Sequence, residues 1–222
     1  MTNKDKIKLA AEVVERLKSV YPEAFCALEW GGGLENGWKL LIMGRLSAQC
    51  TDARVNIVCR DLFAKFPTLE SIANAPVEDV EAIVRPCGLY HTKARDIVAS
   101  CRMLIDDFGG NIPDNMDDLL RLSGVGRKIA NLLLGDLYKM PAIVADTHCI
   151  RICGRVGFYD EKLKDPTKVE KIMAEIVEPS EQSDFCHRIV QFGRDVCNAR
   201  SPRCAECPLS DVCRGKRETK GK

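Results

Sequence analysis

The sequence predicts an all-α protein, and three observations carry that class. Apolar residues recur at three- and four-residue spacing along most of the chain. Prolines and paired glycines stand where those runs would start or stop. Between turn signals, no run alternates convincingly at period two, so strands are not expected. The resulting architecture is roughly ten helices with short connections.

Each element follows from its own residues. Lys6 to Tyr21 carries one apolar stripe, Ile7, Ala10, Val14, Leu17 and Tyr21, and Pro22 closes it. Gly31 to Gly33 form a loop, after which Trp38 to Gln49 resumes as an apolar helix. Asp52 to Phe66 repeats the stripe with Val55, Val58, Leu62 and Phe66, and Pro67 ends it. Pro76 suits the first turn of a helix over Val77–Val84. Thr92 to Phe108 is amphipathic and stops at Gly109-Gly110. Helices are also expected over 114–121, 126–138, 147–156, 166–177 and 184–197.

Composition narrows the class of molecule. A chain of 222 residues, 45% hydrophobic and 29% charged, can bury one large core or two smaller ones. The charged start has no signal-peptide core, and no apolar run approaches membrane-spanning length. A cytoplasmic, reducing setting is therefore expected, with no membrane partner, and the twelve cysteines read as ligands or small core residues rather than disulfides. Net charge is only +1, but nine basic and four acidic residues lie between Arg188 and Lys222. That local excess suits a phosphate-facing patch, with Arg200 and Arg203 as its contacts and Lys216 to Lys222 as a basic tail.

Four cysteines sit within that segment: Cys197, Cys204, Cys207 and Cys213, with gaps of six, two and five residues. Four soft thiolates so close together point to a metal centre. Structural zinc usually takes two short CxxC-type knuckles, and here only Cys204–Cys207 qualifies. The wide flanking loops suit a bulky cluster, although the spacing matches no ferredoxin pattern, so iron–sulfur is favoured over zinc. The other eight cysteines read as core filler; Cys149 and Cys153, four apart, come nearest to a second site.

Leu122-Ser-Gly-Val-Gly-Arg-Lys128 lies between two predicted helices. Gly124 and Gly126 permit a tight turn with positive φ and unshielded amides at a helix start, a site for a DNA phosphate that reads no sequence. Arg127 adds charge to the same turn. Lys128, in the first turn of the second helix, is electrostatically misplaced beside Arg127 and the positive helix end. Both favour the neutral amine, the form that attacks carbon, while a second phosphate-binding lysine is the plainer reading of this turn taken alone. Asp146 follows the apolar stretch Ile143-Val144-Ala145 and opens the next helix. It suits an N-cap and a fixed carboxylate able to stabilise a developing sugar cation. His148 reads as a packing group.

Five motifs in order carry a resemblance: Leu46-Ser-Ala-Gln-Cys-Thr-Asp52, Gly88-Leu-Tyr-His-Thr-Lys-Ala94, Leu122 to Lys128, Ala145-Asp-Thr-His148 and the Cys197–Cys213 loop. Together they resemble the endonuclease III branch of the helix–hairpin–helix DNA glycosylases. The resemblance implies a helical barrel domain at 25–140 and an iron–sulfur cluster domain formed by 1–24 with 141–222, holding a [4Fe–4S] cluster. It implies excision of oxidised pyrimidines from damaged double-stranded DNA, with Lys128 attacking the sugar C1′ and a Schiff base leading to β-elimination. Asp146 would be the carboxylate partner, facing Lys128 across a DNA-binding cleft. Gln49 and Leu89 match the positions that enter the duplex behind the flipped nucleotide. No small-molecule cosubstrate and a monomer are expected. Cys50, Ile129 and Ala145 depart from the residues usual in the family, and Glu29 to Glu35 looks like an enlarged loop. Related adenine glycosylases normally lack the lysine and carry a glutamate near the first motif, which is absent here. A DNA-binding redox sensor that does not cut is the alternative from another class.

Overall fold

A computed structural model describes residues 1–215. Among them every regular element is helical: α1 Asn3–Val20, α2 Gly37–Leu46, α3 Asp52–Lys65, α4 Leu69–Ala73, α5 Val77–Val84, α6 Tyr90–Phe108, α7 Met116–Arg121, α8 Arg127–Tyr138, α9 Thr147–Val156, α10 Pro166–Ile176 and α11 Gln182–Asp195. Lys216, Arg217, Lys220 and Lys222 of the basic tail lie outside the described residues.

Caps set the boundaries that periodicity missed. The Thr2 hydroxyl accepts from the Asp5 amide at 3.2 Å, and Asp5 accepts from the Thr2 amide at 3.0 Å. This capping box starts α1 ahead of its first apolar position. A second box, Thr68 with Ser71, starts α4, a five-residue helix too short to show a periodic stripe. Asn115 accepts from the Asp118 amide at 3.0 Å, so α7 begins at Met116 rather than Asp114. Pro76 is the N-cap of α5 rather than a residue of its first turn. The second helix ends at Leu46, not Gln49, because the chain turns and Gln49 takes a φ of 55°. Likewise α11 ends at Asp195, leaving Cys197 in the loop that follows.

The chain divides into two compact units. One spans Cys26–Lys139 and contains α2 to α8. Within it α6 packs against α4 and α5, and α8 against α2 and α7. Leu40, Leu41, Ile42, Leu62, Ile97, Leu104 and Leu133 are fully buried there. Two glycines of α2, seven residues apart and so on one face, admit α8. A Cβ on Gly37 would lie 2.7 Å from Leu137 Cδ2, and one on Gly44 would lie 3.3 Å from Leu132 Cδ2.

The other unit combines Met1–Phe25 with the chain from Met140 onward. Here α11 packs on α9 and α1, and α1 also meets α10. Leu17, Ile152, Phe158, Met173, Phe185 and Phe192 form its apolar centre. At Gly193 a Cβ would collide with His148 Nδ1 and sit 2.9 Å from Ile152 Cδ1, so glycine sets how near α9 and α11 come. Among the described residues no helix is long and apolar enough to cross a membrane.

Candidate functional site

Residues Leu122 to Gly126 link α7 to α8. Gly124 has φ 71°, a left-handed conformation that favours glycine. Space excludes a side chain there as well: a Cβ would lie 2.5 Å from Arg45 Nε and 2.6 Å from Asp96 Oδ2. Gly126 differs from the sequence expectation of a second positive φ. It is extended, at φ −106° and ψ 177°, and serves as the N-cap of α8 with open space around it. The turn's reversal is completed by Gly124 alone, so only one glycine needs the left-handed region. Val125 donates to Leu122 O at 3.1 Å and Ile129 to Gly126 O at 2.9 Å. The first amides of α8 have no carbonyl within their own helix to serve.

Beneath the hairpin lies an ion pair that sequence reasoning missed. Arg45 Nε of α2 donates to Asp96 Oδ2 of α6 at 2.8 Å, and Ser123 Oγ donates to Asp96 Oδ1 at 2.9 Å. Asp96 therefore ties the hairpin to two helices. Lys128 is the second residue of α8 and is exposed. Arg127, beside it, is half-buried.

Gln49 and Leu89 are exposed residues of the same unit. Both stand in the left-handed region, at φ 55° and 50°, and with Lys139 they are the non-glycine residues there among those described. Such backbone costs of order 1–3 kcal/mol and persists only where its surroundings enforce it. Leu89, an apolar side chain 58% exposed, has no core to fill. Between the two loops lies Lys93, fully buried on α6. Its Nζ donates to Leu46 O, Ala48 O and Cys87 O, each at 2.8 Å. Burial pulls its pKa below the ordinary lysine value.

In the other unit Asp146 caps α9, its Oδ1 accepting from the Cys149 amide at 2.7 Å. The carboxylate is half-buried and directionally fixed. Arg151 Nη2 lies 3.2 Å from His148 Nδ1 and donates to Cys197 O at 3.0 Å, and His148, on α9, faces Gly193 of α11.

Cys197, Cys204, Cys207 and Cys213 line one pocket with Ile152, Phe192 and Leu209. Four thiols lining one pocket are a soft donor set of the kind an iron–sulfur centre takes. Polar hydrogens already reach two of them: Arg155 Nη1 lies 3.4 Å from Cys197 Sγ, and the Leu209 amide 3.4 Å from Cys207 Sγ. Arg155 also donates to Asn198 O and Ala199 O at 2.8 Å each, so a buried guanidinium shapes the first wide loop. Burial pushes the Cys207 and Cys213 thiols up, and a bound cationic centre offsets that penalty on the thiolates. Cys149 and Cys153 are buried 3.9 Å apart on α9 and join no such group. Arg200 is exposed on the loop, whereas Arg203 donates to Asp195 O and pairs with Glu206 at 3.7 Å.

The family profile described as HhH-GPD superfamily base excision DNA repair protein matches residues 42–179. That for the iron-sulfur binding domain of endonuclease III matches residues 197–213. Endonuclease III of Bacillus subtilis (strain 168) is 39% identical over 211 residues, 94% of each chain. The chain belongs to the endonuclease III family. Another relative, endonuclease III of Escherichia coli (strain K12), is 34% identical over 92% of this chain and 94% of its own. Two solved structures match with TM-score 0.87 and 38% identity over 97% of both chains. One is described as a non-covalent endonuclease III–DNA complex and the other as a trapped endonuclease III–DNA covalent intermediate. Membership of the endonuclease III family makes this chain a base-excision DNA glycosylase that binds DNA and carries an iron–sulfur centre.

Proposed function

We propose that this glycosylase removes oxidised pyrimidines such as thymine glycol from duplex DNA and then cleaves the strand on the 3′ side by β-elimination. The observation carrying this reading is Lys128, an exposed amine at the second position of α8, directly behind a hairpin whose amides suit a phosphate. Support also comes from a matching structure described as a covalent endonuclease III–DNA intermediate.

Gly124, Gly126 and Arg127 hold the backbone beside the lesion, and Arg200 and Arg203 add charge from the cluster loop. Gln49 and Leu89 fill the space left when the base flips out, offsetting part of an unstacking cost of a few kcal/mol. Lys128 Nζ attacks C1′, the C1′–N bond breaks, and the base departs with a proton. The C1′–O4′ bond then opens as the iminium forms, and O4′ takes up a proton. Loss of a C2′ proton expels the 3′ phosphate, and water hydrolyses the imine to restore the amine. Asp146 stabilises the positive charge that develops on the sugar and steers these protons. Cys197, Cys204, Cys207 and Cys213 hold a [4Fe–4S] cluster, which cross-links the loop carrying Arg200 and Arg203. The enzyme needs no cosubstrate and acts as a monomer in the cytoplasm on nucleoid DNA.

Borohydride trapping on a duplex with one thymine glycol tests the reading. An adduct formed by the native chain and lost in Lys128→Ala is expected. No adduct from cluster-loaded native protein on either this duplex or an abasic one would exclude the lysine imine.

A further inference from the structure

Lys93 stands out because nothing in the chemistry above uses it. It is the largest fully buried charged side chain among the described residues, and it lies in the apolar interior of the 26–139 unit. An ammonium has three N–H donors and no acceptor. Here all three are used, on Leu46 O, Ala48 O and Cys87 O, each 2.8 Å away. Leu46 ends α2, where the negative end of the helix dipole also attracts a cation. Ala48 immediately precedes Gln49, and Cys87 stands two residues before Leu89. One charged group thus fastens the two loops that carry the two exposed left-handed residues. The Lys93 amide donates to Leu89 O at 3.0 Å, the first-turn bond of α6 to its N-cap.

A buried lysine is an unusual way to hold two turns, since its charge must first be taken out of water. Apolar packing could stabilise α6 equally well, but it could not hold three carbonyls from two loops at fixed distances. Asp96, one turn further along α6, fastens the hairpin through Ser123 and Arg45. The same helix therefore indexes both loops and the hairpin.

We propose that Lys93 is a positioning residue that couples the Gln49 and Leu89 loops, so that both side chains enter the duplex as one rigid wedge. The inference rests on the wedge role given above to Gln49 and Leu89. Lys93 itself touches no substrate.

The test compares single-turnover rates of Lys93→Met with the native holoenzyme on a thymine glycol duplex and on a single-stranded abasic oligonucleotide. The duplex rate should fall about 100-fold, the loss expected for roughly 1 Å of misplacement. Cleavage of the single strand, which needs no flipping, should stay within about twofold. The fluorescence rise of 2-aminopurine placed opposite the lesion should slow in parallel with the duplex rate. In a Leu89→Ala background Lys93→Met should cost far less than alone, because the two act on one event. Parallel loss on both substrates, or full additivity with Leu89→Ala, would make Lys93 a structural residue only and overturn the proposal. If Lys93→Met fails to fold, Lys93→Arg carries the same readouts: it keeps the charge, but its planar fork cannot cap the same three carbonyls. A Gln49→Ala, Leu89→Ala variant as fast as native on duplex would instead remove the wedge reading itself.

Discussion

At the scale of single residues, Lys128 and Asp146 make separable predictions. Lys128→Gln should abolish imine trapping and strand cleavage while duplex affinity persists, because the side chain is exposed and packs no core. Gel shift beside borohydride trapping checks this, and retained trapping would move the nucleophile elsewhere. Asp146→Asn separates the cap from the charge. Asparagine caps a helix as well as aspartate, so the bond to the Cys149 amide and the melting temperature should persist. Base release should nevertheless slow by about 10²–10⁴-fold. If stability alone falls, capping is the whole role of Asp146.

Among the elements, the hairpin offers a matched pair. Gly124→Ala adds a methyl 2.5 Å from Arg45 Nε at φ 71°, and should destabilise by about 1–3 kcal/mol. It should also weaken binding to every duplex sequence alike, since backbone amides make the contact. Gly126→Ala meets open space on extended backbone and should stay within about 0.5 kcal/mol. Equal losses in urea denaturation would show that the two glycines share one role. The helix before the hairpin carries an acid dependence. The Asn115 side chain, then Arg121, holds Asp118 below the usual carboxylate range. A carboxylate lowered on folding contributes stability above its unfolded pKa and loses it as pH falls through the folded value. Hydrogen-exchange protection of α7 should therefore be constant above about pH 5 and decline below about pH 4. Asp118→Asn should flatten that decline, and an unchanged profile would assign it to other groups.

Across the whole molecule, the loop from Asn198 to Gly215 depends on bonds other than apolar packing. Leu209 is its buried apolar residue, and Arg155 holds its first carbonyls. Arg16 of α1 grips its later part, donating to Pro208 O at 2.8 Å and to Asp211 at 2.5 Å. On the proposal that the four cysteines hold the cluster, it adds the cross-link that joins both ends of this loop. Removing the metal with an oxidant and a chelator should raise proteolysis between Cys197 and Cys213 at least tenfold, order of magnitude, while α9 and α11 stay protected. Unchanged cleavage would mean that Arg155 and Arg16 suffice.

Much of this protein could be read along the chain because the relevant signals are local. A helical stripe repeats within a turn, so ten of the eleven described helices were expected, and α4 escaped because five residues carry no stripe. The cysteine spacing indicated an iron–sulfur centre because four cysteines lie within one short segment. Gly124 was legible as a turn residue, whereas the extended Gly126 was not, because glycine permits both conformations. Lys93, Asp96 and Arg45 were invisible as a set. Lys93 reaches across 47 and 45 residues to α2 and the turn beyond it, and Arg45 across 51 to Asp96. A lysine or aspartate on a helix normally faces water, and nothing local marks one as buried. Only the packed fold decides which charges are enclosed and which carbonyls meet them, because desolvation and hydrogen-bond geometry are set by neighbours distant in sequence.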